Sequence, residues 1–279
     1  MNLYSMEKID NIRQPVVAGT FYPSSSQQLK NKIETLIGRK PDRQDAIACM
    51  LPHAGYVYSG SVAAATLSSI NIKEKIILLG PNHTGAGAEY SIMTQGIWQT
   101  PLGEVSIDAD LAGRILSGSK YLKSDEEAHM HEHSIEVEIP FLQYIKKDFQ
   151  IVPIIFLSDD FSALKNIGKE IASSIQKDNL KDSVTIIASS DMTHYEPQED
   201  AERKDKEAIQ AILELNEDKL IDKILKLNIS MCGYAPVIAM IAAAKALGAK
   251  SAKLVKYQTS GEVTQDKTSV VGYAGIIVS

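Results

Sequence analysis

Cysteine is scarce in this sequence: its 279 residues include only Cys49 and Cys232. Two cysteines are too few for the disulfide framework of a small secreted protein, and the C-x-x-C spacing of structural zinc sites is absent. We expect both thiols to stay reduced. Cys49 lies within an apolar run and is interpreted as a core residue. Cys232 lies in a loop before an apolar helix, where it is either a small buried residue or available for chemistry.

Long apolar runs and clusters of basic residues are also missing. The longest uncharged apolar run, from Ala235 to Ala244, is much shorter than the ~20 residues of a membrane span. The first residues lack the apolar segment of a signal peptide. Asp and Glu number 35 against 29 Lys and Arg, and no basic patch of the kind that follows nucleic-acid phosphates occurs. We expect a cytoplasmic protein that binds neither membranes nor nucleic acid.

The pattern of apolar residues predicts an α/β fold. Short apolar runs bounded by Pro, Gly or Asn predict buried strands, and the segments between them have helical spacing. We expect a single domain over residues 1–279, with a central, mostly parallel or mixed sheet flanked by helices. Residues 1–12 are left open between order and disorder. The predicted strands are 46–51, 75–79, 150–156, 184–189, 253–257 and 270–278; the predicted helices are 59–69, 108–116, 133–145 (kinked at Pro140), 160–175, 200–215, 218–227 and 235–247; and 90–108 is predicted to be an antiparallel excursion.

Three histidines follow predicted strands: His53, His83 and His194. Ligands of open α/β sheets collect beyond the carboxyl ends of strands, and imidazole both binds metals and transfers protons near neutral pH. Cys232 is a candidate further ligand, because a nearby helix N-terminus favours the thiolate. Asp191, three residues before His194, is predicted to orient an acid/base histidine, and the alternative for Asp191 is a helix N-cap.

Three further histidines stand close together before a predicted helix. His129, His131 and His133 alternate with other residues, so they could face one way only in an extended segment. We interpret His129 and His131 as part of a solvated loop. We expect His133, at the entrance of the helix and beside Glu132, to lie near a site.

Seven blocks of sequence, in order along the chain, resemble one known family. That family is the Memo-like proteins, which include the eukaryotic mediator of ErbB-driven cell motility and the prokaryotic AmmeMemoRadiSam system protein B. The resemblance implies a fold similar to the class III extradiol (LigB-like) dioxygenases. The blocks are A-G-T-F-Y-P from Ala18, P-H-A-G-Y-V-Y-S-G from Pro52, L-G-P-N-H from Leu79, E-H-S-I-E-V-E-I-P-F-L from Glu132, S-S-D-M-T-H-Y from Ser189, C-G-Y-A-P from Cys232, and a last block from Thr259 that contains T-S-G-E-V-T and then S-V-V-G-Y-A-G.

The resemblance also implies a single metal ion. In the dioxygenases two histidines and a glutamate hold ferrous iron, and the positions that match here are His53 and His83, with Cys232 in place of the carboxylate. A thiolate is a softer ligand, which changes metal preference. We therefore expect Fe(II) or copper, with zinc as a further option, and we do not expect ring cleavage by the usual route to carry over unchanged.

The other site residues implied by the resemblance have roles around the metal. His194, with Asp191, matches the acid/base position, and His133 and Tyr56 are expected to line the pocket. Redox or dioxygenase-like activity on an unknown small substrate is the leading prediction. The alternatives are a non-catalytic module that binds a peptide or partner in a vestigial pocket, and zinc-dependent hydrolysis. Radical-SAM and AMMECR-type proteins are the partners that the family's gene association implies.

Overall fold

A nine-stranded sheet and a separate three-stranded sheet organise residues 12–38 and 42–279, the part of the chain that the computed structural model describes. The prediction about residues 1–12 falls, apart from Ile12, outside this part. The strands are β1 (Ile12–Arg13), β2 (Ala48–Leu51), β3 (Lys75–Pro81), β4 (Tyr90–Ile92), β5 (Ile97–Thr100), β6 (Gly103–Ser106), β7 (Lys123–Ser124), β8 (Gln150–Phe156), β9 (Val184–Ser189), β10 (His194–Glu196), β11 (Ala252–Thr259) and β12 (Val270–Val278).

The large sheet has a parallel centre with antiparallel flanks. Its order is β10-β12-β2-β9-β3-β8-β4-β7, with β11 also paired to β12. The strands β2, β9, β3 and β8 are parallel to one another, whereas β12 and β4 run antiparallel at the two sides. The central strands are buried on both faces, which explains their nearly continuous apolar sequences. The predicted α/β fold with a mixed sheet flanked by helices is confirmed.

Helices cover both faces of the large sheet. A Cβ atom on Gly275 of β12 would meet Thr66 and Val62, and one on Gly272 would meet Asp205. Positions three apart in a strand point to opposite faces, so the helices that carry those side chains lie on opposite sides. The helices are α1 (Ser26–Ile37), α2 (Gly60–Ser68), α3 (Ala109–Gly118), α4 (Glu127–Met130), α5 (Ile139–Ile145), α6 (Phe161–Lys177), α7 (Gln198–Leu213), α8 (Glu217–Leu227), α9 (Tyr234–Ala246) and α10 (Gly261–Thr264), with a 3-10 turn at Glu136–Glu138.

Two helical regions illustrate where the structure differs from the predicted elements. Helix α1 was not predicted, because only Leu29, Ile33 and Ile37 form its buried stripe in an otherwise polar sequence. The predicted kinked helix at 133–145 is a 3-10 turn followed by α5, with Pro140 in the first turn of α5. Proline is favoured in a first turn, where its missing N–H has no helical partner to lose. Within the described residues, no helix is both long and apolar enough to cross a membrane.

A buried ion pair ties the start of the chain to the segment that follows α4. The guanidinium of Arg13 is 2.5 Å from the carboxylate of Glu136, and both side chains are fully buried. Arg13 also donates hydrogen bonds to the backbone carbonyls of His129 and Glu132, and it stacks over the ring of Trp98. Strand β1 therefore holds the segment from 129 to 136 in place.

We predict that Arg13→Met lowers the free energy of unfolding by about 3 kcal/mol or more, because it leaves the Glu136 carboxylate buried without its cation. Chemical denaturation measures the change. Arg114→Met is the matched control, since its ion pair with Asp178 is exposed to solvent and its loss should cost far less. Equal losses in the two variants would contradict this interpretation of the buried pair.

Candidate metal centre

The candidate site lies at the edge of the sheet where three parallel strands end. His53 follows β2, His83 follows β3 and Asp191 follows β9, each two residues beyond the strand. The carboxyl ends of parallel strands meet at one edge, so these side chains come together. With His133 and Cys232 they line a cavity of about 740 Å³.

Three imidazoles form the centre of the site. One nitrogen from each of His53, His83 and His133 lies within 4.8 Å of the other two. The ring centroids are 5.2 Å apart for His53 and His83, and 4.7 Å apart for His83 and His133. Imidazole is the commonest metal ligand in proteins, so this group could hold a metal ion. Sequence reasoning placed His133 beside the site, but it did not anticipate that its ring joins the group.

The buried carboxylate of Glu132 orients two of these histidines. It accepts hydrogen bonds from the backbone N–H groups of His83, His133 and Ser134, and it lies 2.9 Å from Nδ1 of His83. Burial acts to raise the pKa of Glu132, but the hydrogen bonds and charge of His83, with the amide of Ser134, outweigh it and lower the pKa to about 2. An ionised carboxylate only accepts, so Nδ1 of His83 carries the proton and Nε2 keeps a lone pair for a metal.

His53 is held from three sides. Its backbone N–H donates to Oδ1 of Asp191 at 2.9 Å, and its Nδ1 is 2.9 Å from Oγ of Ser189. Its Nε2 is 3.4 Å from Sγ of Cys232. Burial lowers the pKa of His53 well below its usual value, and the neighbouring His83 and His133 lower it further. The ring is therefore neutral near pH 7, as a metal ligand must be.

Cys232 contacts the histidine group through His53. Its Sγ accepts a hydrogen bond from the backbone N–H of Asp191 at 3.3 Å. Burial, with the nearby charge of Asp191, raises the pKa of the Cys232 thiol above its usual value. In the metal-free protein, burial therefore opposes the thiolate that the N-terminus of α9 is expected to favour. Cys49 is a free, fully buried residue of β2, as predicted.

His194 and Asp191 both line the cavity, but Ser230 orients the His194 ring. The Nδ1 atom of His194 donates to the backbone carbonyl of Ser230 at 2.8 Å. Since a carbonyl only accepts, Nδ1 carries the proton and Nε2 is left as the basic atom. The carboxylate of Asp191 accepts instead from the backbone N–H groups of His53 and Ala54, and burial raises its pKa. The N-cap alternative for Asp191 is wrong, because the next helix, α7, begins at Gln198.

Tyr56 lies in the core and does not line the cavity. Its hydroxyl donates to the backbone carbonyl of Val137 at 2.8 Å, and its ring stacks on Phe141. Tyr58, two residues later in the same motif, is the tyrosine that lines the cavity. Sequence spacing alone does not show which of two nearby tyrosines lines the cavity and which packs in the core.

Much of the cavity wall is aromatic, and apart from the histidines it carries no lysine or arginine among the described residues. Phe21, Tyr58, Tyr195 and Tyr273 line it. Tyr195 is 76% exposed and has a φ of +58°, a left-handed conformation that is unusual for a bulky residue. The aromatic part of the wall is thus suited to apolar or flat ligands, and it offers no lysine or arginine to a phosphate group.

His129 is buried, so its interpretation as a solvated-loop residue is wrong, whereas His131 is exposed. The Nε2 atom of His129 is 3.0 Å from Oγ of Ser91, and its Nδ1 has no hydrogen-bond partner among the residues described. Burial lowers the pKa of His129 to about 3. No apolar stripe identifies this buried residue from the sequence, because α4 has only four residues.

Sequence comparison connects the chain to one family. The family profile described as Memo-like protein matches residues 13–277. A MEMO1 family protein of Methanocaldococcus jannaschii is 42% identical over 289 residues, covering 97% of this chain and 100% of the relative. Relatives with the same family description are 44% identical in Methanococcoides burtonii (96% of this chain, 100% of the relative) and 41% identical in Aquifex aeolicus (95% and 98%).

A structural comparison supports the fold alone. An uncharacterised protein from Escherichia coli K12 superimposes with a TM-score of 0.52 at 14% identity, over 82% of this chain and 98% of the other. The α/β architecture is therefore shared with a distant protein.

We predict that the buried His129 makes the protein sensitive to acid. Its pKa is about 3 in the folded state and near 6.5 when unfolded, so only the unfolded state takes up the proton between these values. The contribution of His129 to the free energy of unfolding is fully present above pH 6.5. Below that pH it falls by up to about 1.4 kcal/mol per pH unit. Between pH 6.5 and about pH 4.5, His129→Gln should lose stability less steeply than the wild type.

Denaturant unfolding at a series of pH values measures the slope. His131→Gln is the matched control, because that exposed ring should leave the slope unchanged. Parallel curves for His129→Gln and the wild type would show that His129 is not kept neutral in the folded protein.

Proposed function

Because the chain belongs to the Memo-like protein family, we propose that it holds one metal ion and catalyses a redox reaction on a small molecule bound in the cavity. The observation that carries the proposal is the group of three imidazoles whose nitrogens lie within 4.8 Å of one another. A thiol 3.4 Å from one of those nitrogens adds a soft donor.

The donor set fits a transition metal. His53 and His83 each have Nδ1 engaged by a polar partner, which leaves Nε2 as the ligand atom. We assign the ion to His53, His83 and Cys232, with His133 as a further donor in reach. Imidazole suits iron, copper and zinc, and a thiolate increases the preference for Cu(I), zinc or thiolate-bound iron. Iron or copper is favoured here, and when bound it would supply one-electron chemistry and polarise a ligand oxygen.

His194 is assigned the proton transfer. Because Ser230 holds the proton on Nδ1, the Nε2 atom is the one that accepts a proton from a ligand or returns it. Asp191 has a structural part in this step, since it binds the backbone of the His53 loop. The aromatic side chains of the wall would pack against a flat ligand.

A second function is favoured by the exposed aromatic side chains at the cavity. Tyr58 and Tyr195 are 40% and 76% exposed, and an apolar surface of this kind is typical of binding sites for side chains of a partner. In this alternative the cavity holds a peptide and no reaction follows.

We predict that protein purified without oxygen contains one iron or copper ion per chain, and that Cys232→Ala and His53→Ala lose most of it. Elemental analysis by mass spectrometry measures the content. Cys49→Ala and His131→Ala are the matched controls, because neither residue lines the cavity, and both should retain the ion. Unchanged metal content in Cys232→Ala would contradict its assignment as a ligand. Full occupancy by zinc would count against the redox function and favour hydrolysis.

We predict that His194→Gln reduces oxygen consumption by metal-loaded protein with a small organic reductant by about 100-fold or more, the usual contribution of a general acid or base. The metal content should not change. An oxygen electrode records the rate, and the same samples are analysed for metal. If wild-type protein loaded with iron or copper consumes no oxygen with any reductant tested, the binding function replaces the redox function.

A further inference from the structure

Glu138 is a buried acid that is separated from His53 by a single hydroxyl group. Its side chain is fully buried in the 3-10 turn, and its Oε2 has no hydrogen-bond partner in the part of the chain that the structure describes. Within residues 12–38 and 42–279 it forms no ion pair. A buried carboxyl group with an unpaired oxygen and no cation requires an explanation, because burying a free negative charge is costly.

Among the described residues, the only side-chain hydrogen-bond partner of Glu138 is Ser189, the last residue of β9. The Oγ atom of Ser189 has three polar neighbours: Oε1 of Glu138 at 2.9 Å, the backbone carbonyl of Ser134 at 2.8 Å and Nδ1 of His53 at 2.9 Å. A hydroxyl group has one proton to donate and two lone pairs that accept. It can therefore satisfy three neighbours only if it donates once and accepts twice.

This count determines where the protons are. The carbonyl of Ser134 cannot donate, so it takes the Ser189 proton. The two remaining neighbours must then both donate to Ser189, which requires a proton on the carboxyl of Glu138 and a proton on Nδ1 of His53. In any other arrangement at least one of these buried contacts places two acceptors or two donors against each other.

The surroundings of Glu138 agree with a neutral acid. Burial raises the pKa of Glu138 well above its usual value, the contact with Ser189 opposes this, and the nearby Asp191 adds to it. The other ionisable groups that its charge would reach are Cys49 and Tyr56, and burial raises the pKa of both. Every one of these neighbours is an acid, so none of them would stabilise a negative charge on Glu138.

We propose that Glu138 is a positioning residue, a neutral carboxylic acid that acts through Ser189 to fix His53 with its proton on Nδ1 and its Nε2 lone pair available to the site. This proposal extends the proposed function. It rests on that function in one respect only, namely that the free Nε2 serves as a metal ligand. The orientation itself exists in metal-free protein.

The experiment compares Glu138→Gln with Glu138→Met in metal-free protein. The amide of Gln donates to Ser189 as the neutral acid does, whereas Met cannot. Long-range proton–nitrogen NMR reports which nitrogen of His53 carries the proton. We expect protonated Nδ1 in the wild type and in Glu138→Gln, and a mixture of the two tautomers in Glu138→Met. Metal affinity should stay within about threefold of wild type in Glu138→Gln and weaken about 10-fold to 100-fold in Glu138→Met, the usual effect of losing a group that orients a ligand.

Ser189→Ala provides a second test that does not depend on the fate of Glu138 itself. It should produce the same tautomer mixture, and Glu138→Met should add nothing to it. Asp205→Asn is the control, because Asp205 is a buried carboxyl that contacts Thr193 and Tyr257 and should leave His53 unchanged.

Two results would overturn the proposal. If Nδ1 of His53 stays fully protonated in Glu138→Met, Glu138 does not position His53. If the Nδ1-protonated tautomer is lost in Glu138→Gln, the ionised carboxylate is the active form. Because the tautomer is read without metal, a wild-type protein that binds no metal would refute the proposed function and leave this result intact.

Discussion

The buried carboxylate of Glu132 is the contact on which the arrangement of the histidines depends. It joins the loop after β3 to the segment between α4 and the 3-10 turn, because it accepts from His83 on one side and from the backbone of His133 and Ser134 on the other. Without it, the parallel strands would bring only His53 and His83 to the sheet edge. The third imidazole, His133, lies on the segment between α4 and the 3-10 turn. Its position is set by Glu132 and by the hydrogen bonds that Arg13 donates to backbone carbonyls of the same segment.

Three buried glutamates within seven residues are stabilised in three different ways. Glu132 remains ionised because several N–H groups donate to it, and Glu136 is paired with Arg13 while it also accepts from Tyr22. We have proposed that Glu138 avoids the charge by staying protonated. Burying a carboxylate costs several kcal/mol unless it is compensated, so three solutions in one short segment indicate that its conformation is strongly determined by polar contacts. Such a segment is a rigid support for the ring of His133.

Sequence patterns predicted the scaffold of the site better than its chemistry. Apolar runs identify the central strands. The positions just beyond the strand ends correctly predicted that His53 and His83 lie close together, because the carboxyl ends of parallel strands share one edge of the sheet. The ring of His133 could not be assigned to the group from periodicity, since its position depends on contacts made by residues far away in sequence. For the same reason His129 was misjudged: a four-residue helix has no periodic signal. The protonation of Cys232 depends on burial, which spacing does not reveal.

The protonated thiol of Cys232 would link metal uptake to acidity if this residue is a ligand, as we propose. Burial keeps the proton on Sγ in metal-free protein, and a metal can bind this sulfur only as the thiolate. Loading through Cys232 would thus be an exchange in which one cation enters and one proton leaves. Cys232 lines the cavity, and the backbone N–H of Asp191 donates to its sulfur. The released proton would therefore start beside Asp191 and His194, which line the same cavity. Occupancy of the site would then follow the proton concentration of the compartment as well as the supply of metal.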